Sequence, residues 1–141
     1  MKINLSGLVL LTGVPGAGKT LRMMEYIEAA LKEGRPVYVC NVDGINMPGV
    51  TPYDDPHQWQ DLPPNAVLFV GEAQRYFRAR RGMIDPPEDI TAMETIRHDG
   101  VCIVMTTQQP TYLDKHIRGL IGHHEHLVEV VAGRISNVYT F

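Results

Sequence analysis

Apolar residues fall along this chain in short unbroken runs, separated by segments with helical spacing. Residues 8–11 (LVLL) form a continuous apolar run ending near Gly13, the pattern of a strand buried on both faces. Residues 19–33 then place Leu21, Met24, Ile27 and Leu31 on one helical stripe, with Arg22, Glu25, Glu28 and Lys32 away from it. Gly34 stands where a helix C-terminal glycine is expected. Residues 36–42 (PVYVCNV), 67–70 (VLFV) and 101–105 (VCIVM) predict three more buried strands. Helices are predicted over 87–97 and 113–121. The Pro-, Gly- and Asp-rich stretch 43–65 predicts a long surface connection with one short helix. Residues 127–131 and 135–139, joined around Gly133, predict a terminal hairpin.

Continuous apolar strands alternating with helices imply an α/β domain with a mostly parallel sheet and helices on both faces. The first strand, helix and second strand make a β-loop-α-β unit, which crosses over with the right hand. At 141 residues the chain is expected to be one domain. The net charge of -3 supplies no global field for nucleic acid, so such a contact needs a local basic patch. Cys40 and Cys102 lie inside apolar runs with no metal-type spacing, which predicts buried reduced thiols. The lysine and apolar run at the start superficially resemble a signal peptide. That run ends in the glycine-rich segment, so a strand is the better reading.

The strongest chemical signal is Gly13-Val14-Pro15-Gly16-Ala17-Gly18-Lys19-Thr20. It fits G-x-x-x-x-G-K-[ST] without a gap, between a predicted strand and a predicted helix. In such a loop the glycines turn backbone N–H groups onto the phosphates of ATP or GTP, and the helix N-terminus adds its positive end. Lys19 would bridge the β- and γ-phosphates, and the Thr20 hydroxyl would ligate Mg²⁺.

A second site follows the VLFV run. P-loop ATPases often carry an aspartate there for the Mg²⁺ shell, then a glutamate that polarises the attacking water. Here Gly71 precedes Glu72, so Glu72 is the candidate general base and the first carboxylate is missing. Weak hydrolysis is one consequence, and Gly71→Asp is expected to raise turnover unless another carboxylate, Asp99 first, already serves. Gln108, past the VCIVM run, would meet the γ-phosphate if its strand lies beside that of the phosphate loop; a turn residue before Pro110 is the bland alternative.

The loop GVPGAGKT, then VGEAQRYF, IRHDG, VCIVMTTQQP and LDKHIRGLIGHHEH together resemble the zonular occludens toxin family, which includes filamentous-phage assembly ATPases. The resemblance covers nearly the whole chain and is most specific over 97–126. It implies a RecA-like P-loop NTPase fold, ATP and Mg²⁺ as cofactors, and a motor for phage assembly or export. It also implies a homo-oligomer, phage or other single-stranded DNA and phage assembly proteins as partners, at the cytoplasmic face of the bacterial inner membrane. On that reading residues 1–141 are the cytoplasmic domain of a longer membrane protein, with a span beyond Phe141. The family pattern D-E-A-Q is Gly71-Glu72-Ala73-Gln74 here. Two alternatives stay open: a nucleotide-gated interaction module with little hydrolysis, and a small-molecule kinase with Arg78, Arg80 and Arg81 as a lid.

Other residues carry paired readings. Arg78, Arg80 and Arg81 would touch DNA phosphates or a neighbouring subunit, or form a solvated loop. Arg97 and Arg118 are candidates for an arginine finger acting on the next subunit, or for intrachain salt bridges. His123, His124 and His126 lack a completing zinc ligand and are expected to be ordinary histidines of an edge strand. Trp59, near Tyr53 and His57, would stack on an adenine or anchor its loop.

Overall fold

The computed structural model describes residues 3–82, 84–131 and 134–140. Strands at Gly7–Thr12 (β1), Val37–Cys40 (β2), Val50–Pro52 (β3), Val67–Val70 (β4), Cys102–Thr107 (β5), Ile121–Val131 (β6) and Arg134–Thr140 (β7) form one sheet. Their order is β3-β2-β4-β5-β1-β6-β7. Every neighbouring pair is parallel except β6 with β7, the antiparallel C-terminal hairpin. The expected turn at Gly133 lies outside the described residues.

The helices are Lys19–Lys32 (α1), Glu88–Ala92 (α2) and Lys115–Leu120 (α3). The sheet separates two cores, which is why β1, β4 and β5 are buried at every position and apolar up to their carboxyl ends. Val9 and Leu11 of β1 face Met23, Tyr26, Ile27 and Ala30 of α1, with Val67, Phe69 and Val104 beside them. Leu8 and Leu10 face the opposite layer, with Ile90 of α2 and Ile117 of α3. Each buried Leu or Phe side chain contributes about 1.5–3 kcal/mol through removal from water.

Several elements differ from expectation. The buried face of α1 is Arg22, Met23, Tyr26, Ile27 and Ala30, so the helix is rotated from the Leu21–Met24–Leu31 stripe. The predicted helix over 87–97 is the short α2 followed by a 3₁₀ segment, Met93–Asp99, ended by Gly100 in the left-handed region at φ 71°. The connection 43–65 contains the three-residue β3 as well as a 3₁₀ segment, Pro56–Asp61. In that segment Trp59 is 1% exposed and donates its Nε1–H to the Asp89 carbonyl at 3.0 Å, so it anchors the loop and does not present a face for a base. β6 starts at Ile121, six residues before the expected strand, and absorbs all three histidines. It lies between β1 and β7 and is therefore not an edge strand. Both cysteines are free and buried, as expected.

Candidate functional site

The glycine-rich loop leaves the carboxyl end of β1 and enters α1 at Gly18, whose φ of 99° suits glycine. A Cβ on Gly13 would stand 2.7 Å from the Leu127 carbonyl oxygen, so the loop lies directly against β6. The start of α1 has no side-chain cap and no acidic residue in its first turn. Its N–H groups are thus left for an external acceptor, and nothing negative competes with an anion. Lys19 donates from Nζ to the Gly13 carbonyl and, at 3.3 Å, to that of Val14. Burial pulls its ammonium below the usual lysine range, and the charge of Glu72 partly offsets this.

The parallel topology gathers the tips of β2, β4 and β5 around this loop. They line one cleft of about 560 Å³ with Lys19, Thr20, Asn41, Asp43, Glu72, Gln74 and Gln108 among its walls. Strand β5 pairs with β1 from Gly7↔Cys102 to Thr12↔Thr107 and with β4 on its other side. That meets the condition set for Gln108, which emerges one residue past β5 into the cleft. Glu72 lies across it, held in the left-handed region at φ 49° while its N–H donates to Thr106 Oγ1 at 2.9 Å. Its carboxylate pairs with Arg75 at 2.8 Å. The cleft is the rule for open parallel sheets, whose ligands sit beyond the carboxyl ends of the strands.

Gly71 has a structural reason that sequence reading missed. A Cβ there would lie 2.1 Å from the Asn41 carbonyl oxygen, which is backbone and has little room to yield. Asn41 has φ 56°, its Nδ2 donates to the Gly71 carbonyl at 2.9 Å, and the Gly71 N–H donates to Cys40 at 2.9 Å. The expectation that Gly71→Asp restores a missing carboxylate is therefore corrected: the backbone of Asn41, just past β2, occupies that space. Asp99 is corrected too. Its backbone carbonyl accepts from the Asn65 N–H ahead of β5, at the far end of the sheet from the phosphate loop.

Two polar networks brace the loop from behind. Arg22 donates to Glu125 through Nε at 2.6 Å and Nη2 at 3.1 Å, with both side chains about 2% exposed or less. Tyr26 Oη (2.5 Å) and His123 Nε2 (2.9 Å) reach Glu125 Oε2, the oxygen that also accepts from Arg22 Nη2. Burial alone would raise the Glu125 carboxyl, but these partners hold it below the usual carboxylate range. Thr12, the last residue before the loop, meets His124 Nε2 at 2.7 Å and His126 Nδ1 at 2.9 Å through its hydroxyl. Burial, with His126 and His123 nearby, lowers the affinity of His124 for a proton. Among the described residues no cluster of His, Cys, Asp and Glu could hold a metal by itself.

The arginines are dispersed. Arg97 lines a pocket with Gly7 at the amino end of β1, and its guanidinium crowds where Cβ atoms on Gly7 and Gly122 would be. Arg118 lies on α3, three residues before Ile121 pairs with Leu8, also toward the amino end. Its Nε is buried without a partner among the described residues. Neither enters the chain's own cleft. Arg80 is committed to buried Asp114 and to the Ile84 carbonyl (2.5 Å), while Arg78 and Arg81 are exposed.

A phosphate loop on an interior strand, β1, with β5 inserted between it and β4, which leads into Glu72, defines the P-loop NTPase fold. Solved structures share this fold. The N-terminal domain of zonular occludens toxin from Neisseria meningitidis superposes with a TM-score of 0.75 at 23% identity, over 98% of this chain and 93% of that one. The genome packaging NTPase B204 of Sulfolobus turreted icosahedral virus 2, in complex with ATP-gammaS, gives 0.69 at 18%, over 94% and 79%. The chain belongs to the zonular occludens toxin (Zot) family, whose sequence profile matches residues 7–56 and 49–140. It is 43% identical over 128 residues to the candidate assembly protein ORF301 of Pseudomonas phage Pf3. That match spans 85% of this chain and 42% of the length of the relative.

Proposed function

We propose that this domain binds Mg-ATP in the cleft at the carboxyl ends of β1, β4 and β5 and hydrolyses it to drive phage assembly or export. The observation that carries the reading is the uncapped N-terminus of α1 beneath a glycine loop, with Lys19, Thr20, Glu72 and Gln108 converging on one cleft. The donor set fits the metal. Thr20 offers a hydroxyl and the cleft walls offer carboxylates, the hard oxygen donors that suit Mg²⁺ alongside nucleotide phosphates. In this reading the loop N–H groups and Lys19 hold the phosphates, Glu72 takes a proton from the attacking water, and Gln108 orients that water. The ion, when bound, offsets negative charge on the phosphates.

ATP and Mg²⁺ are cytoplasmic and the family resemblance implies a membrane tether, so on this reading the domain acts at the cytoplasmic face of the inner membrane. The similarity to an assembly protein and a packaging NTPase supports a homo-oligomeric motor whose partners are phage assembly proteins and single-stranded DNA. The pairing of Glu72 with Arg75 favours one variation, slow hydrolysis in which nucleotide mainly gates assembly. Binding of a fluorescent ATP analogue and phosphate release, measured together, test the reading. Tight binding with release supports the motor, tight binding without release the gate, and no binding refutes both.

A further inference from the structure

The cleft holds a residue for which neither the motif nor its family pattern suggests a role. Asp43 follows β2 by three residues and lines the cleft with Thr20, Glu72 and Gln108. It is exposed, and no hydrogen bond or ion pair engages its carboxylate among the described residues. Glu72, by contrast, is partly neutralised by Arg75 at 2.8 Å. The cleft therefore holds one committed carboxylate and one uncommitted.

The position of Asp43 follows from the same contact that excludes a side chain at Gly71. Asn41 turns in the left-handed region, its carbonyl fills the space of a Gly71 Cβ, and its amide binds the Gly71 carbonyl. These contacts close the end of β2 onto the end of β4. The two residues that follow, Val42 and Asp43, enter the cleft wall as a result. Gln74 adds an acceptor to that wall, its buried Oε1 having no donor among the described residues.

We propose that Asp43 supplies the carboxylate that Gly71 cannot, orienting the water shell of the metal that accompanies the nucleotide. The proposal rests on the nucleotide-binding reading of the cleft. A carboxylate in that role accepts hydrogen bonds from metal-bound waters and offsets the ion's charge without touching the phosphates. Glu72 is then left for the proton of the attacking water. The two carboxylates divide between β2 and β4 the work that an Asp-Glu pair does on a single strand.

The test is the gain in nucleotide affinity on adding Mg²⁺, read with a fluorescent ATP analogue first in EDTA and then in excess Mg²⁺. Asp43→Asn should keep the metal-free affinity and lose about ten- to a hundredfold of the Mg²⁺-dependent gain. Glu72→Gln should keep that gain and lose turnover. Because Asp43 is exposed and unpartnered, Asp43→Asn should retain the circular dichroism and melting temperature of the wild type. An unchanged Mg²⁺ gain in Asp43→Asn overturns the assignment while leaving nucleotide binding intact. Failure of the wild type to bind in either condition overturns the nucleotide reading, and the assignment with it.

Discussion

Arg22 on α1 and Glu125 on β6 meet through two hydrogen bonds, 2.6 and 3.1 Å, although 103 residues separate them. The pair joins the helix that follows the phosphate loop to the strand that supports it. Replacing one member of a buried pair leaves a charge without its partner, at a cost of about 3–5 kcal/mol. Glu125→Gln and Arg22→Met should each lower the urea midpoint accordingly, while the double variant recovers part of the loss. Additive losses in the double variant would show that the two side chains do not act as a pair.

The same carboxylate makes stability depend on acid. Its proton affinity is lowered in the folded state, since Arg22, Tyr26 and His123 outweigh the effect of burial. Asp114 behaves alike: burial opposes, but Arg80 and the His116 N–H prevail. A depressed folded pKa gives stability that is present above the unfolded value and lost as pH falls through the folded one. Unfolding free energy should thus hold through neutral pH and drop below the ordinary carboxylate range. Glu125→Gln should flatten that drop, and an unaltered acid limb in that variant would contradict the assignment.

Lys19→Ala should abolish nucleotide binding with the fold intact, because among the described residues Nζ bonds to two carbonyl oxygens of its own loop and to no core element. Equal affinity for a fluorescent ATP analogue in variant and wild type would remove the phosphate-loop assignment. Gly71→Ala tests the backbone contact behind it. The added methyl meets Asn41 at 2.1 Å, so stability should fall by about 1–3 kcal/mol from overpacking. A variant as stable as the wild type would mean that the two strand ends can part.

How far the sequence reached shows in these residues. The buried strands and the phosphate loop were legible because their signals are local: unbroken apolar runs and a gapless motif. The buried role of Arg22 was not, since amphipathic reading sorts arginine to the outside and its partner lies on the last parallel strand. The start of β6 was hidden for the same reason. Residues 121–126 contain three histidines and Glu125, polar groups whose partners are Thr12, Arg22 and Tyr26. Asn41 and Asp43 could be assigned to the cleft only once β2 was known to lie beside β4. A positive φ at a non-glycine residue carries too weak a sequence signal to announce that turn. Nothing in the sequence around Arg97 and Arg118 shows that they lie toward the amino ends of the strands, because that depends on which strands pair.

That placement shapes the last prediction. The six residues of β1 span about 20 Å, and the nucleotide cleft opens at its carboxyl end. Arg97 and Arg118 lie toward the opposite end, so neither can reach the phosphates bound by its own chain. A head-to-tail ring would set the amino end of one subunit against the cleft of the next, the heterologous arrangement that closes on itself. There a guanidinium would stabilise charge on the transferred phosphoryl group in trans, and Arg118, half-buried on α3, is the one tested first. The isolated domain should then be a poor ATPase at low concentration, with turnover per subunit rising as subunits associate. Arg118→Ala should keep ATP affinity and lose turnover by a factor on the order of 10³. Mixing it with Lys19→Ala supplies the sharper test, because one variant brings a working cleft and the other a working arginine. The mixture should exceed the summed activity of its parts. Brisk turnover by a demonstrated monomer, or a mixture no better than that sum with Arg118→Ala itself unimpaired, would refute the trans arrangement.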